Sequence, residues 1–166
     1  DKERWPSVDI FIPTYNEPLD VVKPTVYAAL TVDWPKEKLN VYILDDGSRK
    51  EFKDFACEVG AGYIEREEHK HAKAGNINHA MGITKGDFIA IFDCDHVPVK
   101  TFLQKTMGWF LKDEKIALVQ TPHHFYSQDP FEKNLHLKEN VPNENSLFHD
   151  FIQKGNDTWN ATMFCG

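Results

Sequence analysis

Two aspartates one residue apart, Asp93 and Asp95, stand at the end of a short apolar run in IFDCDHVP. Carboxylate oxygens suit hard divalent cations such as Mg²⁺ or Mn²⁺, which keep room for substrate phosphates. Strand alternation through this stretch would turn both carboxylates to one side and Cys94 the other way, into the core. His96 stands next to the pair as a third ligand or as a neighbour of the ligands, and both readings stay open. A calcium loop is excluded, because His96, Val97 and Pro98 replace its ligand-and-glycine pattern.

Other polar clusters could complete such a site. Asp45-Asp46-Gly47 reads as a turn in which glycine supplies unusual backbone angles. Its carboxylates could equally accept hydrogen bonds from a base or a ribose. Tyr15, Asn16 and Glu17 in PTYNEP could frame a nucleoside or form a polar loop before Pro18. In HAKAGNINHA, small residues lead into a helix whose first N–H groups favour anions, and Lys73 adds a positive charge. An ordinary exposed lysine is the competing reading. His123 and His124 in QTPHHF point apart on an extended chain, which suits cleft-lining hydrogen bonders better than joint metal ligands. Trp109, Phe110 and Leu111 read as the core face of a helix, and Trp159 and Phe164 as core before any stacking role.

The elements that must position these groups alternate. Val8–Ile12, Asn40–Leu44, Tyr63–Ile64, Asp87–Phe92 and Ile116–Val119 read as strands. Val21–Leu30, Lys50–Val59, Gly75–Ile83 and Thr101–Leu111 read as helices, with Pro24 in a first turn where its missing N–H costs little. This order predicts an α/β fold with a mostly parallel sheet flanked by helices on both faces, and a ligand outside the carboxyl ends of the strands. The polar motifs follow strands one to four, so four strand ends converge on one crevice. After Pro122 the pattern gives way to a His-, Asn- and aromatic-rich stretch, with one helix at Asn145–Lys154 and a strand at Ala161–Cys165.

The 166 residues, 41% hydrophobic, suffice for one globular domain with a sizeable core. A net charge of −7 argues against a nucleic-acid partner, yet a bound cation could offset the charge of a nucleotide. Cys57, Cys94 and Cys165 form no CxxC pair, which predicts a reducing compartment and neither disulfides nor zinc. No apolar stretch reaches the 18 or so residues needed to span a bilayer, and no signal peptide is visible. The abrupt ends predict a piece excised from a longer protein.

Taken in order, PTYNEP, LDDGS, HAKAGNINHA, FDCDHVP, QTPHHF and the terminal FCG resemble the catalytic subunits of bacterial cellulose synthases, processive family 2 glycosyltransferases with a GT-A fold. The resemblance covers essentially the whole chain. It implies the donor-binding part of one GT-A domain over residues 1–166, incomplete at the C-terminal side. It also implies inverting transfer from UDP-glucose to a growing β-1,4-glucan, with Mg²⁺ or Mn²⁺ assisting the UDP leaving group. Tyr15, Glu17 and Asp45, with Asp46 beside it, would contact the uridine, and Lys73 the diphosphate. Asp93 and Asp95 would be the DxD pair, Asp95 the more direct ligand and His96 a possible partner. His123, His124, Phe164, Cys165 and Gly166 would lie on the acceptor side, with Met163 replacing a phenylalanine of the family's FFCGS element.

The same resemblance implies that the general base, in a TED motif, and the QxxRW motif fall after Gly166. The chain alone is therefore expected to be inactive. Implied for the parent protein are a place on the cytoplasmic face of the inner membrane, a periplasmic accessory subunit and a PilZ domain sensing cyclic di-GMP. Another membrane β-glycan synthase of family 2 and a non-catalytic nucleotide- or metal-binding module remain alternatives. A soluble phosphoryl-transfer enzyme is disfavoured by the lack of a P-loop pattern.

Overall fold

The computed structural model describes residues 5–67, 70–122 and 154–158. Four strands form one parallel sheet: β1 (Val8–Thr14), β2 (Leu39–Asp45), β3 (Gly62–Ile64) and β4 (Phe88–Ile91), in the order β3-β2-β1-β4. Strand β1 is central, pairing with β2 from Val8 opposite Leu39 to Thr14 opposite Asp45, and with β4 from Val8 opposite Phe88. A fully buried β1 with the apolar run VDIFI is what a two-faced parallel sheet requires.

The two faces carry different helices: α1 (Leu19–Leu30), α2 (Lys50–Val59) and α4 (Phe102–Lys112) on one, α3 (Ala72–Ile83) on the other. Ile10, Ile12, Val41 and Ile43 pack with Val22 and Val26 of α1, Phe52 and Phe55 of α2, and Leu103 and Met107 of α4. Phe11, Leu44 and Ile64 pack on Ala80 and Ile77 of α3. Successive residues of β1 and β2 thus serve opposite layers, as the period of two demands. Buried Asp9 is satisfied by Asn40 Nδ2 at 2.8 Å and the Gly86 N–H at 2.7 Å, which ties the start of β1 to the approach to β4.

Several expectations give way. Ile116–Val119 forms no strand: among the described residues it pairs with none, and an apolar run without a ladder partner stays irregular. Helix α1 begins two residues early, so Pro24 falls in its interior and forfeits one helical hydrogen bond. In α4 the buried stripe is Leu103, Thr106 and Met107 with Phe110 packed alongside, whereas Trp109 is half exposed and Leu111 is 78% exposed. Adjacent residues on a helix point about 100° apart, so the three could not all face the core.

The chain divides into two compact units, residues 1–115 and 116–166. The first holds the sheet and α1 to α4. Within the second, a five-residue helix α5 (Lys154–Thr158) is described. The expected helix at Asn145–Lys154, apart from Lys154 itself, and the expected strand at Ala161–Cys165 lie outside the described residues, as do Trp159 and Phe164. Among the described residues no helix is long and apolar enough to cross a membrane.

Candidate nucleotide-sugar and metal site

Strand order reverses at β1: the chain runs outward to β2 and β3, then returns to β4 on the other side. Such a switch point opens a crevice at the carboxyl ends of the strands. A cavity of about 650 Å³ lies there, its lining including Tyr15, Glu17, Asp46, Lys73, Asn76, Asp93 and Asp95. The ends of β1, β2 and β4 contribute directly, and β3 through the first turns of α3, which follows it.

The β1 loop is built around Glu17. Its Oε2 accepts from the Thr14 hydroxyl at 2.9 Å and the Tyr15 N–H at 2.8 Å. Partial burial works against its charge, but the Tyr15 N–H, further backbone N–H groups and the Thr14 hydroxyl outweigh it and hold the carboxyl below its usual range. Tyr15 is 62% exposed, leaving its ring face open.

At the end of β2, Asp45 is fully buried and saturated. Oδ1 accepts from the Gly47 N–H at 3.0 Å and from Arg49 Nε and Nη2 at 3.0 and 2.8 Å. Oδ2 accepts from the Arg49 N–H at 2.6 Å and the Tyr63 hydroxyl at 3.0 Å. Burial and the bond to Asp45 raise the Tyr63 phenol well above its ordinary value, so it stays a donor. Left-handed backbone falls on Ser48 (φ 48°) instead of Gly47. Glycine is needed at position 47 for closeness, since a Cβ there would sit 2.7 Å from the Tyr15 carbonyl oxygen.

Asp46 and Arg66 form a buried, two-pronged ion pair, with Nη2 to Oδ2 at 2.7 Å. Helix α3 starts three residues earlier than the sequence predicts, which places Lys73 in its first turn. Its ammonium group pairs with Asp93 Oδ1. The Asn76 side chain is buried at the cavity wall. Its Nδ2 donates to the Leu44 carbonyl at 2.9 Å while its Oδ1 has no partner among the described residues.

Strand β4 stops at Ile91, and Asp93–His96 forms a turn closed by the His96 N–H to the Asp93 carbonyl at 2.9 Å. Strand alternation therefore does not orient Asp93 and Asp95; a turn does, and both still border the cavity. Cys94 is buried as expected, and its carbonyl accepts from the Thr25 hydroxyl of α1 at 2.8 Å. Burial, with the negative charges of Glu17, Asp95 and Asp93, pushes its thiol up to about 11. His96 Nδ1 lies 3.7 Å from Asp93 Oδ2 and Nε2 3.8 Å from Asp95 Oδ1.

Among the described residues no three His, Cys, Asp or Glu side chains gather as a closed metal cage. The donor set fits a hard cation held at an open edge: carboxylate oxygens from Asp93 and Asp95, side chains 35% and 66% exposed, with positions left for water and phosphate.

Residues 9–166 match the family described as Glycosyl transferase family 2. The chain belongs to that family. The UDP-forming catalytic subunit of cellulose synthase from Pseudomonas fluorescens is 58% identical over 166 residues, covering all of this chain and 22% of that protein. The corresponding subunit from Xanthomonas axonopodis pv. citri is 59% identical over the same length, 23% of that protein. Cellulose synthase 1 of Komagataeibacter xylinus is 60% identical over 164 residues, 99% of this chain and 11% of that protein. The chain thus spans less than a quarter of these relatives.

Among solved structures, the mannosyltransferase PcManGT of Pyrobaculum calidifontis, in complex with GDP-Man and Mn²⁺, superposes with a TM-score of 0.58 at 23% identity, over 74% of this chain and 38% of that one. Glucosyl-3-phosphoglycerate synthase of Mycobacterium tuberculosis, in complex with Mn²⁺, UDP and its product, gives 0.55 at 21% identity, over 68% and 42%. These likenesses show the GT-A fold.

In this family 2 glycosyltransferase the sequence-predicted groups divide in three. Tyr15, Glu17, Asp46, Lys73, Asp93 and Asp95 meet at one cavity. Asp45 stands behind it with both oxygens engaged by the protein, and His96 joins the turn without lining the cavity. His123, His124, Phe164, Cys165 and Gly166 lie outside the described residues. Sequence reasoning missed Arg49, Arg66 and Asn76. Arginines four residues after Asp45 and two after β3 carry no motif of their own. Asn76 lay in plain view inside KAGNIN.

Proposed function

We propose that this chain is the donor-binding part of a UDP-glucose-dependent cellulose synthase. What carries the reading is the cavity at the switch point, where an exposed tyrosine, a lysine and a carboxylate pair border one space, the groups a nucleoside, a diphosphate and a cation would need. Identity of 58–60% across the chain to UDP-forming cellulose synthases supports the sugar and the polymer. Neighbours solved with a nucleotide or nucleotide sugar and Mn²⁺ support a divalent cation.

Under this reading Tyr15 and Glu17 receive the uridine, and Asp46 borders it. Asp45 acts on the uridine pocket from behind, since its two oxygens already hold Arg49, Gly47 and Tyr63. Lys73 turns from Asp93 to the diphosphate, a compact mobile charge suited to that exchange. Asn76 Oδ1, buried and without a partner among the described residues, accepts a hydrogen bond from a donor hydroxyl or N–H. Asp93 and Asp95 would hold the cation, with His96 steadying the turn or joining the shell. When bound, the cation neutralises charge developing on the departing diphosphate. The carboxylates here are committed to donor and cation, so the proton of the attacking hydroxyl passes to a base elsewhere in the enzyme. His123, His124 and Phe164–Gly166 belong to the acceptor side of the same scheme. The inner-membrane position, the periplasmic accessory subunit and cyclic di-GMP control belong to the longer protein.

Calorimetric titration with UDP-glucose, UDP-N-acetylglucosamine and GDP-mannose, each with and without Mg²⁺, tests the reading. UDP-glucose should bind most tightly, and Asp95→Ala should remove the Mg²⁺ dependence. Preference for a guanosine donor, or unaltered Mg²⁺ dependence in Asp95→Ala, overturns it. A preference for UDP-N-acetylglucosamine moves the chain to another β-glycan synthase.

A further inference from the structure

We propose that Arg66 is a positioning residue for the diphosphate lysine, acting by clamping the loop that delivers Lys73. The inference rests on the donor-site reading above. Arg66 is almost wholly buried, and each of its three nitrogens is committed. Nε and Nη2 grip the Asp46 carboxylate, Nη1 donates to the Lys70 carbonyl at 2.7 Å, and Nη2 also donates to the Ala72 carbonyl at 2.9 Å. The Asp46 bond raises the guanidinium's already high pKa, so the charge is permanent.

Those two carbonyls flank a strained stretch. His71 and Ala72 both hold positive φ, 64° and 44°, which side chains other than glycine rarely adopt. Strain of this kind persists only where surrounding contacts fix it. Arg66 supplies such contacts, one on each side of His71, and the next residue along is Lys73. Gly75 completes the device. A Cβ there would lie 2.6 Å from Arg66 Nη1 and 2.1 Å from the Lys70 carbonyl oxygen, so only glycine leaves the guanidinium its berth. The end of β2, the exit of β3 and the start of α3 are thereby joined through one planar fork. Lysine, a single nitrogen on a flexible stem, keeps the charge opposite Asp46 but cannot span a carboxylate and two carbonyls.

The experiment measures uridine and UDP affinity, with Mg²⁺ present, for the 166-residue chain and for Arg66→Lys, Lys73→Met and the double variant. Arg66→Lys should weaken UDP by about tenfold, the usual weight of a lost charge-assisted contact, while uridine affinity stays unchanged. In the Lys73→Met background the Arg66 substitution should add nothing, as expected for two residues acting through one contact. Equal losses for uridine and UDP, or additive losses in the double variant, overturn the positioning role. Unchanged UDP affinity in Arg66→Lys overturns it too. If the wild-type chain itself fails to prefer UDP over uridine, the donor-site reading falls first. Should Arg66→Lys not fold, Gly75→Ala crowds the guanidinium and the Lys70 carbonyl from the α3 side and is judged by the same criteria.

Discussion

The carboxylates of this site are distinguished less by their type than by what already occupies their oxygens. Asp45 is buried and accepts from Gly47, Arg49 and Tyr63, so Asp45→Ala leaves the Arg49 guanidinium without its anion. We expect a loss of about 3–5 kcal/mol in urea denaturation, the range for breaking a buried pair. Glu17 gives a pH signature. Its folded value lies below the ordinary 4.5, so the stability it contributes is complete above that value and is lost as pH falls through the folded one. Glu17→Gln should therefore flatten the stability–pH curve only below about pH 4.5, the ordinary glutamate range, with thermal denaturation as the readout. The acids of the site were legible because each closes a strand in a recognisable motif. Their partners were not: Arg49 and Arg66 reach their acids through loop geometry that spacing does not encode.

Glycines show how the helices serve the site or merely extend. Gly75 in α3 faces the Lys70 carbonyl and the Arg66 guanidinium, whereas an added Cβ at Gly108 in α4 meets nothing within 4 Å. Gly75→Ala should cost about 1–3 kcal/mol through overpacking. Gly108→Ala should stabilise by about 1 kcal/mol through helix propensity alone. Opposite shifts in melting temperature would confirm the contrast. At this scale the sequence was informative about strand and helix identity from β1 to α4, with ends shifted by one to three residues. Helix α2, with Phe52, Phe55 and Ala56 on one face and Gly60 closing it, matched residue for residue. Ile116–Val119 misled because an apolar run states hydrophobicity but not whether a neighbouring strand exists to pair with it.

At the scale of the whole molecule, the described residues of the sheet, of both packing layers and of the cavity lining all precede Ile116. A chain ending at Lys115 should retain the far-UV circular dichroism of the sheet and helices and unfold in one cooperative transition. Loss of cooperativity would show that residues 116–166 are needed to complete the core. The parallel order and the convergence of four strand ends were readable from the alternation of elements. The position of the switch point needed the strand order itself, which no local pattern reports.

The hydrogen bond from Thr25 to the Cys94 carbonyl gives the turn that carries Asp93 and Asp95 an unexpected frame of reference. Asp93 and Asp95 leave the sheet at Ile91, yet their turn is moored to α1, 69 residues earlier in the chain. Pro24, one residue before the mooring, removes a hydrogen bond from that helix, so the Thr25 contact lies beside its weakest turn. If the pair holds a cation as proposed, its affinity depends partly on a helix that carries neither carboxylate. A displacement of α1 would reach Asp93 and Asp95 through the Cys94 carbonyl without touching either carboxylate.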